Sequence, residues 1–167
     1  MIIAVMSDTH DHLGNLKAAL GLIKQEKARH IIHCGDFVAP FVLKELQTAG
    51  ISVSAVFGNN DGDQHLLTQT AANSNGLIRL DALIGEIDID DFRIAYTHQW
   101  PVAEGLAATG KYRLVCFGHS HTFFKAQRDE TMLLNPGDIM GKDEQPGFCL
   151  VNTETGTVQR LTLTPGD

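Results

Sequence analysis

Residues of metal-binding types follow several short apolar segments of this sequence. They are Asp8 and His10 after residues 2–7, Asp36 after 31–34, Asn59 after 51–57, His98 after 92–97, and His119 and His121 after 114–117. Carboxylates, imidazoles and amide oxygens all bind divalent metal ions in proteins. Ligands gather at the carboxyl ends of strands in open α/β sheets. We therefore expect these seven side chains to form one metal site.

Each of these motifs also has an ordinary structural explanation when it is taken alone. A single DxH or HxH pattern is common by chance, an Asp after a strand often caps a helix, and residues 59–62 alone would form a turn. The joint order is harder to explain in this way. Every motif stands at the end of an apolar segment, and Gly35, Gly58 and Gly118 precede three of them and permit tight turns. The combination favours a metal site.

The apolar pattern also predicts the elements that position these residues. In the first half, strands at 2–7, 31–34 and 51–57 alternate with helices at 13–23, 41–46 and 64–72, an order typical of a parallel α/β layer. In the second half we predict one helix at 102–108 and strands at 83–89, 92–97, 114–117, 122–127, 132–134, 148–152 and 158–163. Short polar turns between these strands are typical of antiparallel hairpins. The predicted fold class is α/β with an α+β second half, in which two sheets pack face to face with helices outside. No linker or repeat interrupts the predicted single domain, residues 1–167.

Composition limits the classes of partner. The formal net charge of −7 argues against extensive nucleic-acid binding, which needs clustered Lys and Arg. No apolar run approaches the ~18 residues that span a membrane, and we see no export signal. Three cysteines without CxxC spacing suit buried positions in a reducing compartment, so the cytoplasm is the expected location. The sequence leaves open whether the chain forms a homo-oligomer.

The ordered motifs resemble one known family. Asp8-x-His10, Gly35-Asp36, Gly58-Asn59-x-Asp61, Thr97-His98 and Gly118-His119-x-His121 are together similar to those of the calcineurin-like metallophosphoesterase superfamily. The resemblance is closer to its small YfcE-type phosphodiesterases, and it extends from Ser7 to Gly137. It implies a four-layer α-β-β-α sandwich of two mixed sheets. It also implies one metal ion held by Asp8, His10, Asp36 and His121, and a second held by Asp36, Asn59, His98 and His119.

This resemblance implies a metal-dependent phosphodiesterase that acts on small phosphoesters. Two divalent ions carry more charge than Asp8 and Asp36 together, so an acidic chain can hold a phosphate there without Lys or Arg. The expected reaction is hydrolysis by a hydroxide that bridges the metals, with Asp36, Asn59 and His98 acting through those metals. Nitrogen and oxygen ligands discriminate poorly among Mn²⁺, Ni²⁺, Co²⁺, Fe²⁺ and Zn²⁺, and the resemblance favours Mn²⁺. The alternatives are a phosphomonoesterase using the same site and a non-catalytic scaffold of the same fold.

Departures from the family pattern cluster near the expected leaving group. Asn60 stands where many relatives have a histidine that protonates the leaving group, so this general acid is missing. His12 is either a substitute acid or a solvated residue at a helix start. Trp100 either lines the substrate pocket or packs beneath the following helix. Asp138 replaces a usual Ser, and we expect it to make the rim of the site more acidic. Asn60, His12 and Trp100 are the candidate substrate-binding residues.

Overall fold

The computed structural model describes residues 1–163, and in this range the chain forms two β-sheets and four helices. Residues 164–167 of the predicted domain lie outside the described part. The first sheet has the strand order β11-β10-β1-β2-β3-β4. Its strands are β1 (Ile2–Met6), β2 (His30–His33), β3 (Ser52–Val56), β4 (Ile78–Asp81), β10 (Gly147–Asn152) and β11 (Val158–Thr162). Strands β1 to β4 are parallel, whereas β10 and β11 are antiparallel to their neighbours, so the sheet is mixed.

The second sheet has the order β5-β6-β7-β9-β8 and is also mixed. Its strands are β5 (Ile84–Ile89), β6 (Phe92–Thr97), β7 (Leu114–Cys116), β8 (Phe123–Arg128) and β9 (Thr131–Pro136). Strand β7 is parallel to both β6 and β9, while β5 and β8 pair antiparallel at the edges. The parallel pair β6–β7 positions the histidine motifs of the second half.

Three apolar clusters separate four layers. Helices α1 (Leu13–Gln25), α2 (Pro40–Gln47) and α3 (Gln64–Ala72) contribute buried residues to a cluster with one face of the first sheet. The opposite face, including Ile3 and Ile32, packs against Ile94 and Leu114 of the second sheet. Helix α4 (Trp100–Ala108) packs on the outer face of the second sheet. This arrangement is the predicted α-β-β-α sandwich, because each sheet buries one face against helices and the other against its partner sheet.

The structure confirms the predicted fold class and shows which strands share a sheet. Strands β10 and β11 come last in the chain but join the first sheet, where Ile3 pairs with Val151. Strand β4 was not predicted, because it is only four residues long and its pattern Ile78-Arg79-Leu80-Asp81 is short. The hairpin turns at residues 90–91, 129–130 and 154–156 were correctly predicted. Within residues 1–163, no helix combines the length and the hydropathy of a membrane span.

Candidate metal centre

The first sheet supplies four of the seven predicted side chains. Asp8 and His10 follow β1, Asp36 follows β2 and Asn59 follows β3, and these three strands are adjacent and parallel. Backbone hydrogen bonds join their loops, since the Asp8 N–H donates to the Gly35 carbonyl at 3.0 Å and the His10 N–H donates to the Asp36 carbonyl at 3.1 Å. The carboxyl ends of the parallel strands therefore meet at one edge, as the sequence predicted.

The second sheet supplies the three remaining histidines from two adjacent parallel strands. His98 follows β6, and His119 and His121 follow β7. The Gly118 N–H donates to the His98 carbonyl at 3.1 Å, and the His119 N–H donates to Asp8 Oδ2 at 3.0 Å. This last bond joins the two sheets at the candidate centre.

Two overlapping clusters of ligand atoms form between the sheets. Asp8, His10 and His121 make one cluster, Asp8, Asp36 and His98 make the other, and the ligand atoms within each lie within 4.8 Å of one another. Asp36 Oδ2 lies 3.4 Å from His10 Nε2 and 3.5 Å from His98 Nε2. Asp36 therefore stands between histidines that the family resemblance assigns to different metal ions.

The two other predicted ligands lie beside these clusters. Asn59 Oδ1 lies 2.9 Å from His98 Nε2 and is linked through it to Asp36. His119 is exposed, and its ring lies edge-on to that of His98 with the ring centroids 5.2 Å apart. Its imidazole thus borders the site from the solvent side.

Unpartnered polar atoms face this site. Asp8 Oδ1 and His10 Nε2 are buried and have no hydrogen-bond partner among the described residues. Asp8 Oδ1 instead lies 3.7 Å from His10 Nε2 and 3.6 Å from His121 Nε2. Buried polar groups without partners are costly, and a divalent cation would satisfy these atoms. The donor set of oxygens and imidazole nitrogens fits such an ion.

Two histidines are oriented by acceptors on the far side of the ring. His98 Nδ1 lies 2.7 Å from the Cys34 carbonyl, and His121 Nδ1 lies 2.9 Å from Asp138 Oδ2. Because a carbonyl and a carboxylate accept hydrogen bonds, Nδ1 carries the proton in both rings and donates it. In a neutral ring, Nε2 is then free to bind a metal, an arrangement common around metal-ligating histidines.

The expected role of Asp138 at the rim was wrong. Its side chain is only 1% exposed, and Oδ2 accepts both the His121 bond and the Lys142 backbone N–H at 2.9 Å. The side chain therefore lies beneath the site as a support for His121. A residue type at a turn does not reveal such burial, which depends on how the loop folds back.

Charge in the site is balanced between carboxylates and histidines. Burial opposes the charge on Asp36, but hydrogen bonds from His98 and Asn60 outweigh it and hold the pKa of that carboxyl well below its usual range. Burial likewise opposes protonation of His98, but Asp36 and Asp8 raise its pKa above the usual value. Among residues 1–163, the charged-group contacts of Asp8 and Asp36 are all with histidines. No Lys or Arg among these residues neutralises the two carboxylates, so they remain available to a cation.

Asn60 holds the central carboxylate. Its backbone N–H donates to Asp36 Oδ1 at 2.8 Å, and its side-chain amide donates to Asp36 Oδ2 at 2.7 Å. Asn60 thus lies beside the predicted site and fixes both oxygens of Asp36.

Two residues that organise the loops were given no role in the sequence analysis. Asp61 is buried and accepts backbone N–H groups from Phe37 at 2.6 Å, Val38 at 2.9 Å, Gly58 at 2.6 Å and Asp36 at 3.2 Å. It therefore joins the turn after β2 to the turn after β3. The sequence did offer one indication of this role, the Asp in the motif Gly58-Asn59-Asn60-Asp61, but a turn alone also explains that motif.

His33 is the second such residue. It is fully buried, its Nδ1 accepts the Gly35 N–H at 3.2 Å, and its Nε2 donates to Thr9 Oγ1 at 2.7 Å. Burial lowers the pKa of His33 to about 3, so the ring is neutral. His33 connects the loop that carries Asp8 and His10 to the loop that carries Asp36.

The glycines before the motifs serve two different purposes. Gly35 has a φ of 96°, as expected for a tight turn. Gly58 and Gly118 are needed for close approach: a Cβ at Gly58 would lie 2.1 Å from Asp36 Oδ1, and one at Gly118 would lie 2.0 Å from Ser7 Oγ. Only glycine lets these turns pass so near the carboxylate loops.

His12 caps a helix and Trp100 lines a groove, whereas Asn60 contacts Asp36. His12 is the N-cap of α1, where its Nδ1 accepts the Asn15 N–H at 3.1 Å, which favours the helix-start interpretation. Trp100 begins α4, and its ring packs edge-on against Phe117 and Phe124. The three aromatic residues line a groove of about 310 Å³ together with Ser120. Trp100 is 37% exposed, so part of its side chain faces solvent in this groove.

Comparison with known proteins agrees with this geometry. Residues 1–156 match the family model described as the calcineurin-like phosphoesterase superfamily domain. A curated phosphodiesterase of Methanocaldococcus jannaschii is 37% identical over 166 residues, which cover 98% of this chain and 99% of that protein. A solved structure of an archaeal phosphodiesterase superposes with a TM-score of 0.91 at 32% identity, covering 98% of this chain and all of that one. The Escherichia coli phosphoesterase Yfce shares the fold, with a TM-score of 0.66 at 17% identity over 98% of this chain and 100% of that one. The chain is therefore a metallophosphoesterase and belongs to the calcineurin-like phosphoesterase superfamily.

Proposed function

We propose that this protein is a two-metal phosphodiesterase that hydrolyses small phosphodiesters. The observation that carries the proposal is the position of Asp36, whose Oδ2 lies within 3.5 Å of a histidine nitrogen from each half of the site. A carboxylate in this position is suited to bridge two ions. The relative of Methanocaldococcus jannaschii that is named a phosphodiesterase aligns over nearly the whole chain, which supports the substrate class.

The proposed ligands follow the assignment that the family resemblance implies. One ion would be held by Asp8, His10, Asp36 and His121, and the other by Asp36, Asn59, His98 and His119. We propose Mn²⁺ for both ions because the family resemblance favours it, since oxygen and imidazole donors accept Mn²⁺ but discriminate poorly among divalent ions. When bound, two such ions would supply the positive charge that holds a phosphate and would activate a water molecule for attack.

The chain's own residues prepare the site in three ways. Asn60 and the histidines keep the Asp36 carboxylate ionised and fixed, and the Cys34 carbonyl and Asp138 turn two histidine rings toward the centre. Asn60 supplies no acid for the leaving group, because an amide does not release a proton at neutral pH. We therefore infer that the preferred leaving groups depart without protonation.

We further propose a cytoplasmic location. All three cysteines, Cys34, Cys116 and Cys149, are buried and free. Burial raises the pKa of the Cys34 and Cys149 thiols, so both are poor nucleophiles. Unpaired, unreactive cysteines of this kind suit a reducing compartment.

The proposal is tested with an Asp36→Asn variant. We expect about two transition metal ions per purified wild-type chain by elemental analysis, and hydrolysis of bis(p-nitrophenyl) phosphate with added Mn²⁺. The variant should bind less metal and lose more than about a thousand-fold in kcat/KM. An Asp88→Asn variant makes the same chemical change at an exposed position of β5 and should match the wild type.

Three results would contradict the proposal in different ways. Unchanged activity in the Asp36→Asn variant would remove Asp36 from the site. Activity on p-nitrophenyl phosphate without activity on the diester would make the protein a phosphomonoesterase. Wild-type protein that binds no metal and hydrolyses neither ester would be the scaffold alternative.

A further inference from the structure

A second cleft opens directly beside the candidate metal centre. It has a volume of about 340 Å³, and its wall includes the side chains of Asn59 and His98. The cleft is separate from the groove at Trp100, which neither of these residues lines. Its volume falls at the lower end of the range for small-molecule sites, roughly 300–1,000 Å³. A phosphate held at the metal centre would therefore lie beside a concave surface of suitable size for one of its substituents.

The side chains that line the cleft determine which ester substituent of a phosphate fits there. Phe57 and Leu83 provide apolar surface, and Gln64 and Gln99 provide two carboxamides. Leu83 is 54% exposed, so its side chain offers accessible apolar surface at the wall of the cleft. Apart from the candidate ligand His98, none of the described residues that line the cleft is ionisable. A neutral, flat group with hydrogen-bond donors and acceptors on its edges fits this lining, since carboxamides both donate and accept.

The walls of the cleft are tied to the strand ends that carry the site. The Phe57 N–H donates to the Ala82 carbonyl at 3.1 Å, two residues before Asn59. Thr97 Oγ1 donates to the Leu83 carbonyl at 2.9 Å, next to His98. Gln99 Nε2 lies 3.3 Å from Asn59 Oδ1. These bonds fix the cleft relative to the candidate ligands, so a substituent bound there holds its phosphate in a defined orientation.

We propose that this cleft binds one ester substituent of the substrate, and that the substituent is a nucleoside. The inference rests on the phosphodiesterase function proposed above and names its substrate class: a phosphodiester of a nucleoside. The base lies against Leu83 and Phe57, and its edge bonds to Gln64 and Gln99. A phosphomonoester of a small alcohol lacks this contact.

The test fills the cleft with a Leu83→Trp substitution in the Mn²⁺-loaded protein. A Leu66→Trp variant is the matched control, because Leu66 is 44% exposed and lies outside the cleft. Binding is measured by titration calorimetry with thymidine monophosphate and with inorganic phosphate. Wild type and the Leu66→Trp control should bind the nucleotide at least about ten-fold more tightly than phosphate. Burying a few tens of Å² of apolar surface contributes roughly the free energy that corresponds to this factor. The Leu83→Trp variant should lose this difference.

Kinetics provide a second measurement. The p-nitrophenyl ester of thymidine monophosphate and methyl p-nitrophenyl phosphate share a leaving group and differ in the other substituent. The wild-type KM should be about ten-fold lower for the thymidine ester, and the ratio of the two KM values should fall to about one in the Leu83→Trp variant.

The outcomes separate this inference from the proposed function. If wild type hydrolyses both diesters but the KM ratio is the same in both tryptophan variants, the cleft assignment is wrong and the phosphodiesterase proposal stands. If a Trp100→Ala variant loses the nucleotide preference while Leu83→Trp keeps it, the nucleoside binds in the aromatic groove and the assignment is again wrong. If wild type hydrolyses neither diester, the proposed function itself fails.

Discussion

Replacing Asp138 with Asn should weaken metal binding although Asp138 is not a proposed ligand. Its carboxylate accepts the Nδ1 proton of His121 at 2.9 Å and is buried. The substitution keeps the size of the side chain but removes the charge, and a neutral acceptor forms a weaker bond than a carboxylate does. His121 then loses part of the interaction that fixes its ring and makes Nε2 a better donor to a metal.

The expected magnitude follows from this single bond. A hydrogen bond to a charged group contributes about 1.5–3 kcal/mol, and loss of such a support typically lowers metal affinity about 10–100-fold. The two figures agree, because 10–100-fold corresponds to about 1.4–2.7 kcal/mol. The same Asp138 oxygen also accepts the Lys142 N–H, so part of the loss will come from the loop.

The assay is a competition titration of Mn²⁺ between the protein and a chelating dye. Asp143→Asn is the matched control, since Asp143 lies in the same loop but is exposed, with its carboxylate 3.8 Å from Lys142 Nζ. Circular dichroism of the metal-free variants checks that both are folded. Equal Mn²⁺ affinities for the two variants would refute the reasoning, because an exposed aspartate would then matter as much as the one bonded to His121.

Three further predictions concern the leaving group, the loops and pH. In a series of aryl phosphodiesters, kcat/KM should fall steeply as the leaving-group pKa rises, because Asn60 supplies no acid; a flat dependence would point to another acid. Asp61→Asn should lower the free energy of unfolding in urea by about 2–3 kcal/mol, because four backbone N–H groups lose their carboxylate. An Asp63→Asn control should change little, since Asn caps a helix as well as Asp does; equal losses would contradict the role of Asp61. His33 binds a proton near pH 6.5 when unfolded but only near pH 3 when folded. It should therefore make the metal-free protein less stable by about 1.4 kcal/mol for each unit that the pH falls across this window, and His33→Gln should lack that contribution. Identical pH profiles for the two proteins would show that His33 does not remain neutral.

The fold was largely predictable because local patterns determine most of its elements. Apolar runs followed by helical spacing identify strands β1 to β3 and helices α1 to α3, and short polar turns identify the hairpins. The membership of β10 in the first sheet was not predictable, because Ile2 pairs with Asn152 at the other end of the chain. A strand's own pattern shows that it is buried but not which neighbour it pairs with.

The sequence predicted that the seven proposed ligands would lie at one edge of the sheets, but it did not predict the residues that support them. Their prediction needed only that parallel strands end at the same edge, which holds for both sheets here. The supports of those ligands depend on contacts between distant segments. The His33–Thr9 and Asp138–His121 pairs follow from how the loops fold over one another, and no spacing rule indicates them.

Backbone conformation gives an independent reason for the residue types at this site. Five of the seven proposed ligands have positive φ angles, Asp8 53°, His10 42°, Asp36 59°, His119 71° and His121 58°. Such conformations cost non-glycine residues roughly 1–3 kcal/mol, although Asp, Asn and His tolerate them better than most. The turns that direct side chains back over the strand ends thus favour some of the residue types that bind metals. An Asp36→Ala substitution would remove a proposed ligand and also strain the turn, whereas the Asn in an Asp36→Asn variant tolerates the same backbone conformation. Loss of metal in an Asp36→Asn variant therefore reports on the carboxylate itself.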